Sequence, residues 1–91
     1  MTSVVWSAAA RRQLYLITAW IARHDAGAAS RLADAIDDRI ALLCDFPALG
    51  TPIDRGHRKL SLGRFPYVLV YAVSGDVIQI LAIRHMARSA I

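Results

Sequence analysis

The residues best suited to act on another molecule lie in the second half of this 91-residue chain. Arg55, Arg58, Lys59, Arg64, Arg84 and Arg88 stand there against only Asp54 and Asp76. The first 53 residues hold five Arg and five Asp, so the whole net charge of +4 sits on the second half. All but Lys59 are arginine, and a guanidinium favours planar, bidentate contact with phosphate or carboxylate. Such a half attracts a polyanion or an acidic protein segment. His85 is a candidate general base. It is better read as a hydrogen-bonded residue closing a sheet edge, because no nucleophile is fixed beside it in sequence. Ser61 with His85 has no nucleophile elbow to make a hydrolase pair. His57, His85 and Asp54 share no metal-ligand spacing, so no metal is expected. The chain has no Glu and no Gly-rich phosphate loop, and no cofactor is expected. Tyr67 and Tyr71 share one face of a strand, where they either stack on bases or pack the sheet.

These residues must be positioned by the stretch Tyr67 to His85, which reads as two strands folded back on each other. Tyr67, Leu69, Tyr71 and Val73 alternate with Val68, Val70 and Ala72. The return strand sets Ile78, Ile80 and Ala82 against Val77, Gln79, Leu81 and Ile83. Val, Ile and Tyr suit a pleated surface. Ser74-Gly75-Asp76 lies between the runs, and Gly75 supplies the positive φ of a tight hairpin. Both faces are apolar, which places the ribbon inside a sheet. A membrane helix over Phe65 to Ile83 would carry Asp76 near its middle, at a cost of about 2.5–3.5 kcal/mol. No membrane span is expected.

Upstream, Thr2 to Trp6 is a short β-prone run. Ser7 reads as an N-cap before Ala8-Ala9-Ala10. Ala10, Leu14, Ile17 and Ile21 draw one apolar helix face, with Leu16 and Trp20 as a second stripe beside it. This helix is expected to end near Arg23-His24. Asp25 then caps a second helix, whose buried stripe is predicted as Ala29, Leu32, Ala33, Ile36, Ile40 and Leu43. Arg31, Asp34, Asp37 and Asp38 form its solvated face, with Arg31 able to pair with Asp34. Phe46 to Pro52 holds two prolines and a glycine and predicts irregular chain. Arg55-Gly56-His57 continues that loop. Arg58 to Leu62 is a short strand, and Met86 to Ile91 is expected to be a mobile tail.

The order is β-α-α-β-β-β in one domain, residues 1–91. It predicts an α+β, two-layer fold: an N-terminal antiparallel helix hairpin on one face of a mainly antiparallel sheet. The other face is expected to be open and basic. A hydrophobic fraction of 56% and mean hydropathy of +0.38 are high for a chain this short. They indicate exposed apolar surface for a partner, or simply an Ala-rich chain. The single cysteine, Cys44, excludes an intrachain disulfide and reads as a small core residue. Met1-Thr2-Ser3 lacks a signal-peptide pattern, so a cytoplasmic location is expected.

An ordered set of residues resembles a known family. It runs Trp6-Ser7, Ala10, Leu14, Ile17, Ala29, Leu32 and Pro47-x-Leu49-Gly50-x-Pro52. Arg58-x-Leu60, Pro66-Tyr67-x-Leu69-x-Tyr71, Gly75-Asp76, Ile80-Leu81 and His85-x-x-Arg88 follow. The pattern is similar to the ParE/RelE superfamily of toxins from type II toxin–antitoxin systems, over nearly the whole chain. The resemblance implies a cognate antitoxin that wraps the toxin with a partly disordered segment. Leu16, Trp20, Tyr67 and Tyr71 are the candidates for antitoxin contact. A heterotetramer or a toxin dimer is the implied assembly.

Two branches of the family imply different activities. RelE-like members are metal-independent ribonucleases that cut mRNA in the ribosome, with an Arg directly after the first Tyr of the hairpin and a C-terminal Tyr. Here Val68 follows Tyr67, and no Tyr follows His85. Lys59, Arg64, Arg84 and His85 would be the catalytic set on that reading. ParE-like members bind DNA gyrase instead of catalysing a reaction, and this chain resembles them more closely. Arg58, Lys59, Arg64, Arg84, His85 and Arg88 are then target-contact candidates. A non-toxic interaction module is the remaining alternative.

Overall fold

The computed structural model describes residues 2–89, with the side chains of Arg88 and Ser89 excepted. Strand β1 (Ser3–Trp6) leads into helix α1 (Ala8–Ala22). Ser7 caps that helix, its hydroxyl accepting from the Ala10 amide at 3.0 Å. Helix α2 (Ala26–Asp45) starts at Asp25, whose carboxylate accepts from the Ala28 amide at 3.1 Å. A tight link between the helices makes them an antiparallel pair. Arg31 reaches back to Asp25 at 3.5 Å, rather than along the helix to Asp34. Both side chains are well exposed, so this pair adds little stability.

The remaining strands are β2 (Thr51–Pro52), β3 (Arg58–Ser61), β4 (Tyr67–Ser74) and β5 (Val77–His85), followed by one helical turn, α3 (Met86–Ser89). They form one sheet in the order β1-β5-β4-β3-β2. Every pairing is antiparallel except β1 with β5. The central hairpin turns at Gly75-Asp76, with φ of 59° at Gly75. The architecture is the α+β arrangement expected, with a parallel edge strand added. Among the described residues no helix is long and apolar enough to cross a membrane.

One core joins the helices to one sheet face. Ala10, Leu32, Ile36 and Leu43 pack with Leu62, Leu69, Tyr71, Ile78, Ile80 and Ile83. Cys44 packs at its margin. Ala33 was expected in the buried stripe but is exposed. It lies one position past Leu32, about 100° round the helix, and so turns away from the sheet.

Four other expectations are corrected. The Pro-rich segment is not wholly irregular, because Thr51 and Pro52 pair with Lys59 and Arg58. Proline is tolerated there because β2 is an edge strand. The 54–56 segment is a tight 3₁₀ turn instead of an open loop, with Arg55 at φ 65°. Residues 86–89 are helical, anchored by the Met86 amide on the Pro66 carbonyl at 2.8 Å; the rest of the expected tail, 90–91, lies outside the described residues. Finally, strand β5 does not alternate uniformly. Tyr71 pairs with Ile80 while Val70 pairs with Ala82, so Leu81 is an extra residue. This bulge moves Ile83 into the core with Ile78 and Ile80, and sends Ala82 to the opposite face.

Candidate functional site

The register defines the sheet face away from the helices. Ser61, Val68 and Arg84 form one row across β3, β4 and β5, and Lys59, Val70 and Ala82 form the next. Thr51 extends the second row to the edge. Val68, Val70 and Ala82 are 6–7% exposed and lie outside the helix-facing core cluster. Lys59 and Arg84 are exposed at either side of this apolar strip. This face therefore presents two cations flanking a floor of small β-branched and alanine side chains.

The other basic candidates go elsewhere. Arg58 pairs with Tyr71 and so shares its face, and its Nη1 donates to the Gly50 carbonyl at 2.7 Å and the Ala48 carbonyl at 3.2 Å. It clamps the 47–50 segment. Arg64 sits in the turn after β3, where it borders a groove of about 570 Å³ with Asp38, Arg39, Leu42 and Phe65. His85 is half-buried on the helix-facing side, edge-on to Tyr67 with ring centroids 5.3 Å apart. Its Nδ1 accepts from the Ala87 amide at 3.2 Å. The side chain of Arg88 is not described. Of the six target-contact candidates, Lys59 and Arg84 share the sheet face away from the helices, on β3 and β5 with β4 between them.

Tyr71 and Tyr67 differ sharply. Tyr71 is 0% exposed; its hydroxyl accepts from the Gly50 amide and donates to the Pro47 carbonyl, both at 2.8 Å. Burial removes it from any partner surface, and it is a core residue. Tyr67 instead borders a groove of about 700 Å³ with Gln13, Leu16, Ile17, Ile83, Arg84 and His85, the Arg84 position reaching its rim from the neighbouring face of β5. Leu16 is 57% exposed and Trp20 is 60% exposed, one turn further along α1. Trp20 stacks edge-on with His24 at 5.0 Å. Leu16 thus shares the groove beside the end of β5 with Tyr67, and Trp20 continues the exposed apolar stripe of α1.

Sequence reasoning missed Gln13 and a second role of Ser7. Gln13 Oε1 accepts from the Ile83 amide at 2.8 Å, and the Ser7 hydroxyl donates to the Leu81 carbonyl at 2.9 Å. The visible signal was a polar Gln adjoining the apolar face of α1. Among the described residues no group of three His, Cys, Asp or Glu could hold a metal ion.

Comparison with known proteins bears directly on this arrangement. Residues 4–90 match the profile of the ParE toxin of type II toxin–antitoxin system, parDE. The chain belongs to the ParE toxin family. It is 36% identical over 81 residues to Y4kP of Sinorhizobium fredii, a protein named as a toxin, covering 88% of this chain and 83% of that one. It is also similar to a chain in the solved chromosomal ParDE TA system from P. aeruginosa. That likeness has a TM-score of 0.79 and 27% identity, covering 93% of this chain and 96% of the other. For this ParE-family chain, the branch with a ParE-like rather than a RelE-like sequence is thus the one matched.

Proposed function

We propose that this chain is the toxin of a type II pair, that it acts in the cytoplasm by binding DNA gyrase, and that a cognate antitoxin silences it. The observation carrying the binding reading is the division of the cationic set. Metal-independent strand cleavage needs a base, an acid and a charge stabiliser around one phosphate. Here Arg84 and His85 alternate to opposite faces of β5 although both border the groove beside Tyr67, Lys59 lies on β3 with β4 between it and Arg84, and Val68 stands between Ser61 and Arg84. Lys59 and Arg84 suit a contact surface, where geometry is looser than in an active site.

Leu16, Trp20 and Tyr67 supply the surface on which an amphipathic antitoxin segment would order, offsetting its ordering cost by burying them. The P. aeruginosa relative, whose structure is that of a ParDE system, supports an antitoxin partner; the assembly proposed for the pair is a heterotetramer or a toxin dimer, with the antitoxin supplying DNA binding.

The test is a supercoiling assay with purified gyrase and a parallel assay of ribosome-bound mRNA. Inhibition of supercoiling, with mRNA intact, is expected. Cleaved mRNA with normal supercoiling would replace this reading with the ribonuclease one, and Arg84→Ala should then abolish cutting. Expression without growth arrest would indicate an interaction module.

A further inference from the structure

We infer that Gln13 is a positioning residue: with Ser7 it holds the bulge in β5, and the bulge decides which face of the sheet carries Arg84. The inference rests on the proposed role of that face in gripping the target.

A strand alternates strictly, so a one-residue change of phase sends every later side chain to the other face. Ile78 and Ile80 face the helices. An unbroken ladder would aim Ala82 and Arg84 the same way, and would aim Ile83 and His85 at the open side. The observed register is the reverse. Ala82 lies opposite Val70 and Arg84 opposite Val68, while Ile83 is 3% exposed in the core and His85 lies against Tyr67. The phase changes at Leu81. Without it, a guanidinium would be driven toward an apolar interior and an isoleucine out of it.

Two backbone groups flanking Ala82 are bonded to α1 instead of being left to the sheet alone. The Leu81 carbonyl accepts from the Ser7 hydroxyl, and the Ile83 amide donates to Gln13 Oε1. Ser7 is fixed as the cap of α1, so its hydroxyl is held in place by the Ala10 amide as well. Gln13 lies less than two turns further along the same helix. The helix thus carries both partners of the bulge in one rigid frame. The amide oxygen is essential, because only an acceptor can meet the Ile83 N–H.

The experiment uses the full chain, isotopically labelled, in three forms: wild type, Gln13→Leu and Gln13→Glu. Nuclear Overhauser contacts report the register, amide exchange reports the Ile83 bond, and the His85 ring shifts report its stacking on Tyr67. In the wild type, contacts should link Tyr71 with Ile80 and Val70 with Ala82, skipping Leu81. In Gln13→Leu, Ile83 should exchange roughly five- to tenfold faster, the His85 ring resonances should move, and gyrase inhibition should fall. Gln13→Glu keeps an acceptor and should retain wild-type values. An uninterrupted ladder in the wild type, or unchanged Ile83 and His85 signals in Gln13→Leu, would overturn the inference. If Gln13→Leu fails to fold, Gln13→Asn, too short to keep the bond, takes its place with the same readouts. Altered Ile83 and His85 signals with full gyrase inhibition would uphold the bulge assignment and remove Arg84 from the proposed target surface.

Discussion

The hydroxyl of Tyr71 is the clearest single point at which to test how this fold is held. Tyr71→Phe removes one oxygen atom that links the 47–50 segment to the central strand. Two bonds are lost, from the Gly50 amide and to the Pro47 carbonyl, each 2.8 Å long. The consequences at the two ends differ. Gly50 is buried, so its N–H is left without a partner, at a cost of about 1–3 kcal/mol. Pro47 is only half-buried, and water can replace the lost donor to its carbonyl. The net loss is therefore set by Gly50, at roughly 1–3 kcal/mol. In a domain of this size each kcal/mol lowers the melting midpoint by about 4–8 °C. A fall of roughly 4–24 °C is expected, measured by far-UV circular dichroism and checked by urea titration with unchanged m-value. Arg58 grips the same segment through the Gly50 and Ala48 carbonyls. The double variant with Arg58→Ala should therefore deviate from additivity by at least about 0.5 kcal/mol. A Tyr71→Phe protein within about 0.5 kcal/mol of the wild type would refute the claim that this hydroxyl fastens the loop.

Gly50→Ala should be at least as damaging, since a methyl group there would meet the Tyr71 ring and hydroxyl at 2.7 Å and the Lys59 carbonyl at 2.8 Å. A loss of about 1–3 kcal/mol in chemical denaturation is expected. Arg55→Gly should stabilise the chain by about 0.5–1 kcal/mol, because the 3₁₀ turn holds a non-glycine residue at φ 65°; thermal melting checks it. Lys59→Glu with Arg84→Glu should abolish gyrase inhibition while the melting midpoint stays near the wild-type value, because both side chains are exposed. Leu16→Asp with Trp20→Asp should weaken antitoxin binding at least about a hundredfold by calorimetry, without loss of fold, since both protrude from α1.

Much of the fold is written in short-range chemistry. Ser7 and Asp25 cap their helices because a side-chain oxygen can reach an amide three residues on, a fact local to each position. Gly75 makes the hairpin for an equally local reason. The apolar spacing of α1 and α2 places Ala10, Leu32, Ile36 and Leu43 in the core. The family pattern needed only the order of such residues along the chain.

The candidate site was less legible, because a side chain's face depends on register, and register is agreed between strands. Arg58 and Lys59 adjoin in sequence, yet one holds a loop on the core side and the other stands on the open side. Tyr67 and Tyr71 share a face, but only Tyr71 is sealed, since the loop carrying Gly50 closes over it. Arg84 and His85 exchange faces through an insertion at Leu81 that no local pattern announces. The sequence by itself determined the two main helices with their caps, the central hairpin and the family, because these depend on neighbours a turn or two apart. The tertiary structure alone decided which cations share a surface: the Ser7 and Gln13 side chains meet β5 across about 70 residues of chain, and that encounter sets its phase.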